Sequence, residues 1–294
     1  MLESKPRHAL TAAVMSSVLP GFGQFYNGEL NKAIWLFLCF ALLSIPGIVF
    51  LSLHLPGGLM IPALVLSLLT TLAIWLYGIV DAWRQARLRQ DYIPESWQIS
   101  GVYLLILILC HGVALPFLTG YVRSHQVEAY RIPSASMQPT ILRGDYIFAD
   151  KRYNCPGCKG AIRRGDIAVF VYPNNHTKLY IKRIIALPGD RVEITGSRVS
   201  VNGVPLSSGA PDVEGEGGRK WRVTLQSSDI KALNIDVVVP PGRVYVLGDN
   251  RGDSVDSRKF GMVPMQDVVG KARQIWFSLG PNGVRWSRIG MVLD

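Results

Sequence analysis

The chain has 294 residues, 49% of them hydrophobic, and 31 Lys and Arg against 21 Asp and Glu give a formal net charge of +10. Such a length has room for more than one folding unit, and the composition changes at about residue 120. The positive balance invites a nucleic-acid reading, but no basic run is interleaved with aromatics and no binding motif is recognisable. Attraction to anionic lipid accounts for the charge more simply, and no nucleic-acid partner is expected.

The first segment, Ala9–Tyr26, is apolar but broken by Pro20-Gly21-Phe22-Gly23, and it leads into more apolar sequence. It reads as an interfacial or re-entrant segment and not as a signal sequence that is removed. From Ala33 to Val80 no Asp, Glu, Lys or Arg occurs, and a second uncharged stretch runs from Ile99 to Tyr121. A bilayer core of about 30 Å takes about 20 apolar residues in helix. The first stretch therefore holds two spans, near 33–54 and 59–80, hinged at Leu55-Pro56-Gly57-Gly58, and the second holds one, near 99–119. Basic residues collect on the cytoplasmic side, so Lys5, Arg7 and Lys32, and then Arg84, Arg87 and Arg89, belong inside. That leaves residues 121–294 outside, after a membrane region of 1–120.

Beyond Val122 short apolar runs alternate with turns, the pattern of a mainly antiparallel β domain. Gly144-Asp145, Gly165-Asp166 and Gly189-Asp190 each precede a strand-like run, and Asn202-Gly203 marks a tight hairpin. Val244–Leu247 is a further strand. Ser207–Arg222, rich in Gly and charge, reads as an exposed loop without chemistry, and Ser228 as the N-cap of a short helix. Cys155 and Cys158 face an oxidising compartment and are close enough to bridge, so a local disulfide is expected; a redox pair or half of a metal site are the alternatives.

No Gly-x-Ser-x-Gly elbow and no His-Glu-x-x-His cluster occurs, so a metal site and a cofactor are not expected. In Pro133-Ser134-Ala135-Ser136-Met137-Gln138-Pro139-Thr140, prolines bracket two small hydroxyl residues and hold the backbone extended, a mount for a nucleophile or equally an ordinary loop. In Lys178–Ala186, strand alternation puts Lys182 on the face of Tyr180 and Ile184, where an apolar wall disfavours its charged form. The same lysine could instead lay its stem on the sheet and reach water. Gly248–Arg258 is dense in turn formers and paired charges and has the composition of a solvated loop.

Together and in this order, the segments resemble the bacterial type I signal peptidases. Ile132–Thr140 is similar to the family's nucleophile box, Gly165–Phe170 to its structural strand, Lys182–Asp190 to its lysine box and Gly248–Arg258 to its final box. The resemblance implies an antiparallel β-sheet catalytic domain of signal-peptidase type behind an α-helical membrane region. It implies a serine endopeptidase of the bacterial plasma membrane, multi-pass, with its catalytic domain on the extracytoplasmic side, removing signal peptides from exported preproteins after small residues. Carried over by position, Ser136 is the nucleophile and Lys182 its base. The Ser134 hydroxyl and the Ser136 N–H form the oxyanion hole, and Ser254 orients Lys182. Ile132, Ile141, Tyr180 and Ile181 line the substrate pockets, and the ion pairs Arg183–Asp249 and Asp256–Arg258 hold the final box. The sequence departs from the pattern at Gly252-Asp253, at Cys155-Pro156-Gly157-Cys158, and in the longer membrane portion containing Leu19–Gly28.

Overall fold

The computed structural model describes residues 6–44, 47, 55, 57–153, 161–225 and 234–293. The chain forms two compact units, Met1–Arg123 and Ser124–Asp294. The expected disulfide of Cys155 and Cys158 and the expected short helix after Ser228 lie outside the described residues.

In the first unit the helices are Ala9–Val18, Phe22–Tyr26, Leu30–Leu43, Gly57–Leu88 and Ser100–His125, the last containing a π-helical stretch, Ile108–Ala114. Ile61–Leu88, with 28 residues, and Ser100–His125, with 26, both have mean hydropathy 2.2. At about 1.5 Å per residue each is longer than an apolar bilayer core. The helix Leu30–Leu43 covers the start of the span expected near 33–54; most of the remainder of that span, 45–46 and 48–54, lies outside the described residues. Of the expected hinge, Gly57 and Gly58 belong to the next helix, and Pro56 lies outside the described residues. That helix runs past Val80 to Leu88, because its last turns find partners for their charges. Asp81 binds Lys32 Nζ at 2.6 Å, and Arg87 lies 4.0 Å over the Trp83 ring.

The Leu19–Gly28 motif builds a helical hairpin that doubles back along the helix Gly57–Leu88. Arg7 N donates to Arg89 O at 3.1 Å, Trp75 Nε1 donates to Ser17 O at 3.0 Å, and His8 N then meets Tyr26 Oη at 3.4 Å, so the segment climbs from the level of Arg89 to that of Trp75 and returns. Close approach dictates the glycines: a Cβ on Gly21 (φ 88°) or Gly23 would fall on the carbonyl oxygen of Ala33 or Ala12. The amides of Gln24 and Asn27 are buried, and their N–H groups donate to the long helix, while Asn27 Oδ1 has no partner among the described residues. Gln24 Nε2 donates to Gly78 O at 2.8 Å and to Asp81 Oδ2 at 2.9 Å, Ser16 Oγ donates to Gln24 Oε1 at 3.0 Å, and Asn27 Nδ2 donates to Ala82 O at 2.9 Å. Backbone and amide groups in an apolar medium need such internal partners. At about 15 Å, the helix Ala9–Val18 of 10 residues reaches half-way through a bilayer core.

The second unit is mainly antiparallel β. Its strands are β1 (Val127–Arg131), β2 (Asp145–Asp150), β3 (Ile167–Val171), β4 (Leu179–Ala186), β5 (Arg191–Thr195), β6 (Arg198–Val201), β7 (Val204–Pro205), β8 (Ser207–Ser208), β9 (Ala210–Glu216), β10 (Arg219–Arg222), β11 (Asn234–Val238), β12 (Arg243–Leu247), β13 (Val263–Pro264), β14 (Val268–Gly280) and β15 (Gly283–Val284). The main sheet has the order β1-β2-β14-β3-β4-β12-β13, with β15 on β14; β11-β5-β6-β7 and β10-β9-β8 form two smaller sheets. Both faces of β3 are buried, Ile167 and Val169 in one apolar cluster and Ala168 and Phe170 in another. That double burial explains its unbroken apolar sequence.

The three Gly-Asp turns share one construction. The Asp N–H donates to the carbonyl of the residue three before it (Leu142, Arg163, Leu187), and its carboxylate accepts the N–H of that same residue at 2.7–3.0 Å. The intervening glycine has φ of 84–89°, the left-handed region that a side chain disfavours. Each carboxylate then takes a basic partner from a distant segment: Arg288 on Asp145, Lys271 and Arg219 on Asp166, and Arg164 on Asp190.

The segment Ser207–Arg222, expected as an exposed loop, is instead the three-stranded sheet β8-β9-β10. Glu214 (3% exposed) and Trp221 (6%) are buried, and Glu214 forms a two-pronged ion pair with Arg251, also buried. The flexible-looking Gly and charge content masked a strand pair whose charges find partners within the fold.

Candidate active site

β4 carries Lys182 and Arg183 side by side, paired across the sheet with Ala168 and Ile167 of β3. Alternation sends the two cations to opposite faces, and both are buried, at 3% and 0% exposure. The chain after β1 runs extended through Ser134 and then turns over Ser136–Thr140, where Gln138 N donates to Ala135 O at 3.0 Å and Ile141 N to Met137 O at 2.9 Å. The Gln138–Pro139 peptide is cis. The backbone is thus extended up to the first serine, and Ser136 sits at the shoulder of the turn.

That turn brings Ser136 Oγ to 2.6 Å from Lys182 Nζ across 46 residues of chain. Ser136 is itself 8% exposed. The Ser134 hydroxyl lies 3.3 Å from Ser136 Oγ. Lys182 Nζ is 5.5 Å from the centre of the Tyr180 ring, which stacks on Tyr172 with centroids 4.3 Å apart. Burial pushes the Lys182 amine down to about 8, against the opposing pull of Asp256 and Asp249.

Each of those two carboxylates has its own guanidinium. Arg183 Nε and Nη2 donate to Asp249 at 2.9 and 2.8 Å, and Arg183 Nη1 donates to Gly165 O at 2.7 Å. The Arg183 guanidinium also lies 4.7 Å over the Trp221 ring, and Thr140 Oγ1 donates to Asp249 at 2.6 Å. Arg258 Nε and Nη2 each donate to Asp256 at 2.8 Å, and Gly248 N donates to Asp256 Oδ2 at 2.9 Å. Burial alone would raise the Asp256 carboxyl; the Arg258 pair and the Gly248 N–H reverse that and hold it below the ordinary range. Both ion pairs expected from the sequence are formed.

Two expected placements differ. Ser254 is buried next to the dyad, at 6% exposure, but its Oγ makes no hydrogen bond to Lys182 and instead faces the Asp256 carboxylate, which it helps to hold down. Ile141 is fully buried in the apolar cluster with Met137 and Ile147 and does not line the cleft. The branched side chain two places beyond the proline turns inward because the chain is by then returning toward β2.

Ile132, Tyr180 and Ile181 do line the cleft, a cavity of about 430 Å³ bounded by Tyr130–Ser136 on one side and Leu179–Lys182 on the other, with Asp253 and Val255 at the dyad. Sequence reasoning overlooked Gly248 as a packing residue. A Cβ there would fall on Ser254 Oγ and lie 2.5 Å from Ser136 O and 2.6 Å from Ser254 Cβ, so a glycine is needed for the final box to approach the serine turn. A larger cavity of about 1110 Å³ elsewhere in this unit is lined by charges that bind one another, Arg164 with Glu216 and both Arg219 and Lys271 with Asp166.

Residues 102–277 match the family model for signal peptidase, peptidase S26. The chain belongs to the signal peptidase family. A signal peptidase I of Rickettsia canadensis (strain McKiel) is 35% identical over 191 residues, 52% of this chain and 72% of that protein. One from Pseudomonas fluorescens is 33% identical over 216 residues, 60% of this chain and 75% of its own. A crystal structure of a signal peptidase I from Enterococcus faecalis V583 is 30% identical, covers 38% of this chain and 96% of that one, and gives a TM-score of 0.28. As a member of this peptidase family the chain is a serine endopeptidase, and the match spans the serine turn, β4 and the final box. The hairpin at Leu19–Gly28 precedes the matched residues.

Proposed function

We propose that the protein is a membrane-anchored signal peptidase that cuts exported preproteins after small residues, with Ser136 as nucleophile and Lys182 as general base. The observation that carries this reading is the 2.6 Å contact between Lys182 Nζ and Ser136 Oγ in a site where both are buried. A protonated amine donates in that contact; once neutral, Nζ accepts from the serine hydroxyl instead. Neutral Lys182 takes the hydroxyl proton as Ser136 Oγ bonds to the scissile carbonyl carbon. The Ser136 N–H and the Ser134 hydroxyl bind the oxyanion that forms. Collapse breaks the C–N bond, and Lys182 returns its proton to the departing amine. Lys182, neutral again, then activates a water that frees the acyl group from Ser136.

β1 is an edge strand of the main sheet, and an extended peptide lying in the cleft between Tyr130–Ser136 and Leu179–Lys182 fits recognition by strand addition. Ile132 and Ile181 make its floor apolar and shallow, which favours small side chains before the cut. Ser136→Ala should reduce cleavage of a preprotein to background, with the wild-type cut confirmed by sequencing the new N-terminus. The free-enzyme kcat/KM should rise with pH through about 8, the value to which burial brings Lys182. A profile flat from pH 6 to 9 would remove Lys182 from the role of base.

The reading includes a bacterial plasma-membrane anchor with residues 121–294 outside and anionic lipid around the basic end. Its support is that the basic groups Arg7, Lys32 and Arg89 gather at one end of the helical unit, tied by Arg7 N to Arg89 O and by Arg89 to Glu29 at 2.9 Å. Protease added outside spheroplasts should degrade the β unit and spare the Arg84–Arg89 connection. Cleavage in that connection with a protected β unit is the result that overturns the orientation.

A further inference from the structure

We infer that Asp253 is a specificity-determining residue whose carboxylate, mounted at the dyad end of the cleft, favours substrates with a positive charge beside the scissile bond and disfavours those with a negative one. The inference rests on the reading of the cleft as the substrate site.

The loop that carries Asp253 is built onto the nucleophile's own backbone. Asn250 N donates to Ser136 O at 3.1 Å, Asn250 Nδ2 donates to Ala135 O at 3.2 Å, and Asp253 N donates to Asn250 O at 3.1 Å. The neighbouring Arg251 is locked to Glu214, and Arg258 Nη2 donates to Arg251 O at 2.9 Å. Movement of residue 253 relative to Ser136 is therefore restricted from both sides.

Every other carboxylate bound to this loop is neutralised by a guanidinium: Asp249 by Arg183, Asp256 by Arg258 and Glu214 by Arg251. Asp253 is exposed, lines the cleft with Ser136 and Lys182, and its carboxylate has no hydrogen-bond or ion-pair partner among the described residues. Its charge reaches Lys182, whose protonated form it favours. A field felt at the base is also felt by the residues of a peptide whose scissile bond lies at Ser136. Next to it, Val255 is 43% exposed and lines the same cleft, and although Lys182 and Arg131 line it too, neither is within ion-pair distance of the Asp253 carboxylate. Its counter-charge is left for the substrate to bring.

The test is a panel of one preprotein with Lys, Gln or Glu at each position flanking the cut, assayed with the full chain in detergent as kcat/KM relative to the Gln form. At one or more of these positions the wild type should prefer Lys to Glu by about threefold to tenfold, the range for a partly solvated charge pair, and less at high salt. Asp253→Asn should bring that ratio close to one, and Asp253→Lys should invert it. An unchanged ratio in Asp253→Asn overturns the inference. So does a variant that shifts the pH profile alone, because Asp253 would then act only through Lys182. If Ser136→Ala still cleaves, the reading of the cleft itself has failed; if Ser136→Ala is inactive and the charge ratios do not respond to Asp253, only the specificity role has.

Discussion

Lys182→Met is expected to abolish cleavage and, below pH 8, to make the folded protein more stable. Methionine keeps most of the stem and its packing on Tyr180 but offers no amine to accept the Ser136 proton. The stability gain follows from the linkage between burial and protonation. The folded-state value of Lys182, about 8, lies below its ordinary 10.5. Between these two values the unfolded chain binds a proton that the folded chain does not, so this group makes stability rise with pH across that window. Below 8 both states are protonated and the folded state carries the full cost of a buried ammonium, about 3 kcal/mol for a shift of that size. Losing the hydrogen bond to Ser136 takes back about 1 kcal/mol. A net gain of about 2 kcal/mol at pH 7, disappearing above pH 10.5, is therefore expected from thermal unfolding in detergent. A variant that unfolds earlier than wild type at pH 7 would show that Lys182 is held by its neighbours and not penalised by burial. The ammonium would then be stabilised in the folded chain and the amine would not lie below its ordinary value, which removes the neutral base that the mechanism needs.

How far the sequence disclosed this site depends on the kind of constraint that acts on each residue. The four motifs in order brought Ser136, Lys182, Arg183, Asp249, Asp256 and Arg258 forward, and the fold does place them together. Local pattern alone would not have done so, since Ser136 and Lys182 are joined by a contact across 46 residues and the final box reads as a solvated loop. Ile141 and Ser254 were misplaced for a related reason: the direction a side chain takes after a turn is set by the returning chain, not by its own neighbours. The strand β14 went unread even though its burial alternates from Val268 to Gln274, because Gly270, Arg273 and Gln274 break its apolar signal. Gln274 is nonetheless buried, with its Nε2 donating to Gly290 O at 2.7 Å. The sheet β8-β9-β10 was missed because its two buried side chains, Glu214 and Trp221, besides bonding each other, need Arg251 as the counter-charge and Arg183 over the ring, partners that no local window contains. The long apolar helices were legible as apolar length, and their ends were not, because the helix Gly57–Leu88 continues into charged turns once Lys32 and Trp83 are in place to receive them.

Asp249→Ala is expected to cost more stability than any other single carboxylate removal in the final box. Arg183 is 0% exposed, and Asp249 accepts two of its N–H groups and the Thr140 hydroxyl. Taking away the carboxylate leaves a buried guanidinium without its counter-charge, with Gly165 O and the Trp221 face among its remaining partners. Breaking a buried pair from one side costs about 3–5 kcal/mol. For a unit of this size that lowers the unfolding midpoint by on the order of 10 °C. Asp249→Asn retains acceptor geometry on one oxygen and should fall between wild type and Asp249→Ala. The contrasting case is Asp236, which meets Arg191 at 2.5 Å with both side chains more than half exposed, so Asp236→Ala should leave the midpoint unmoved. Thermal unfolding of the three variants side by side separates burial from mere contact, because the exposed bond is the shorter one. Equal midpoints for Asp249→Ala and Asp236→Ala would mean that water reaches Arg183, and with it that the low-polarity environment that brings the Lys182 amine down does not extend across β4.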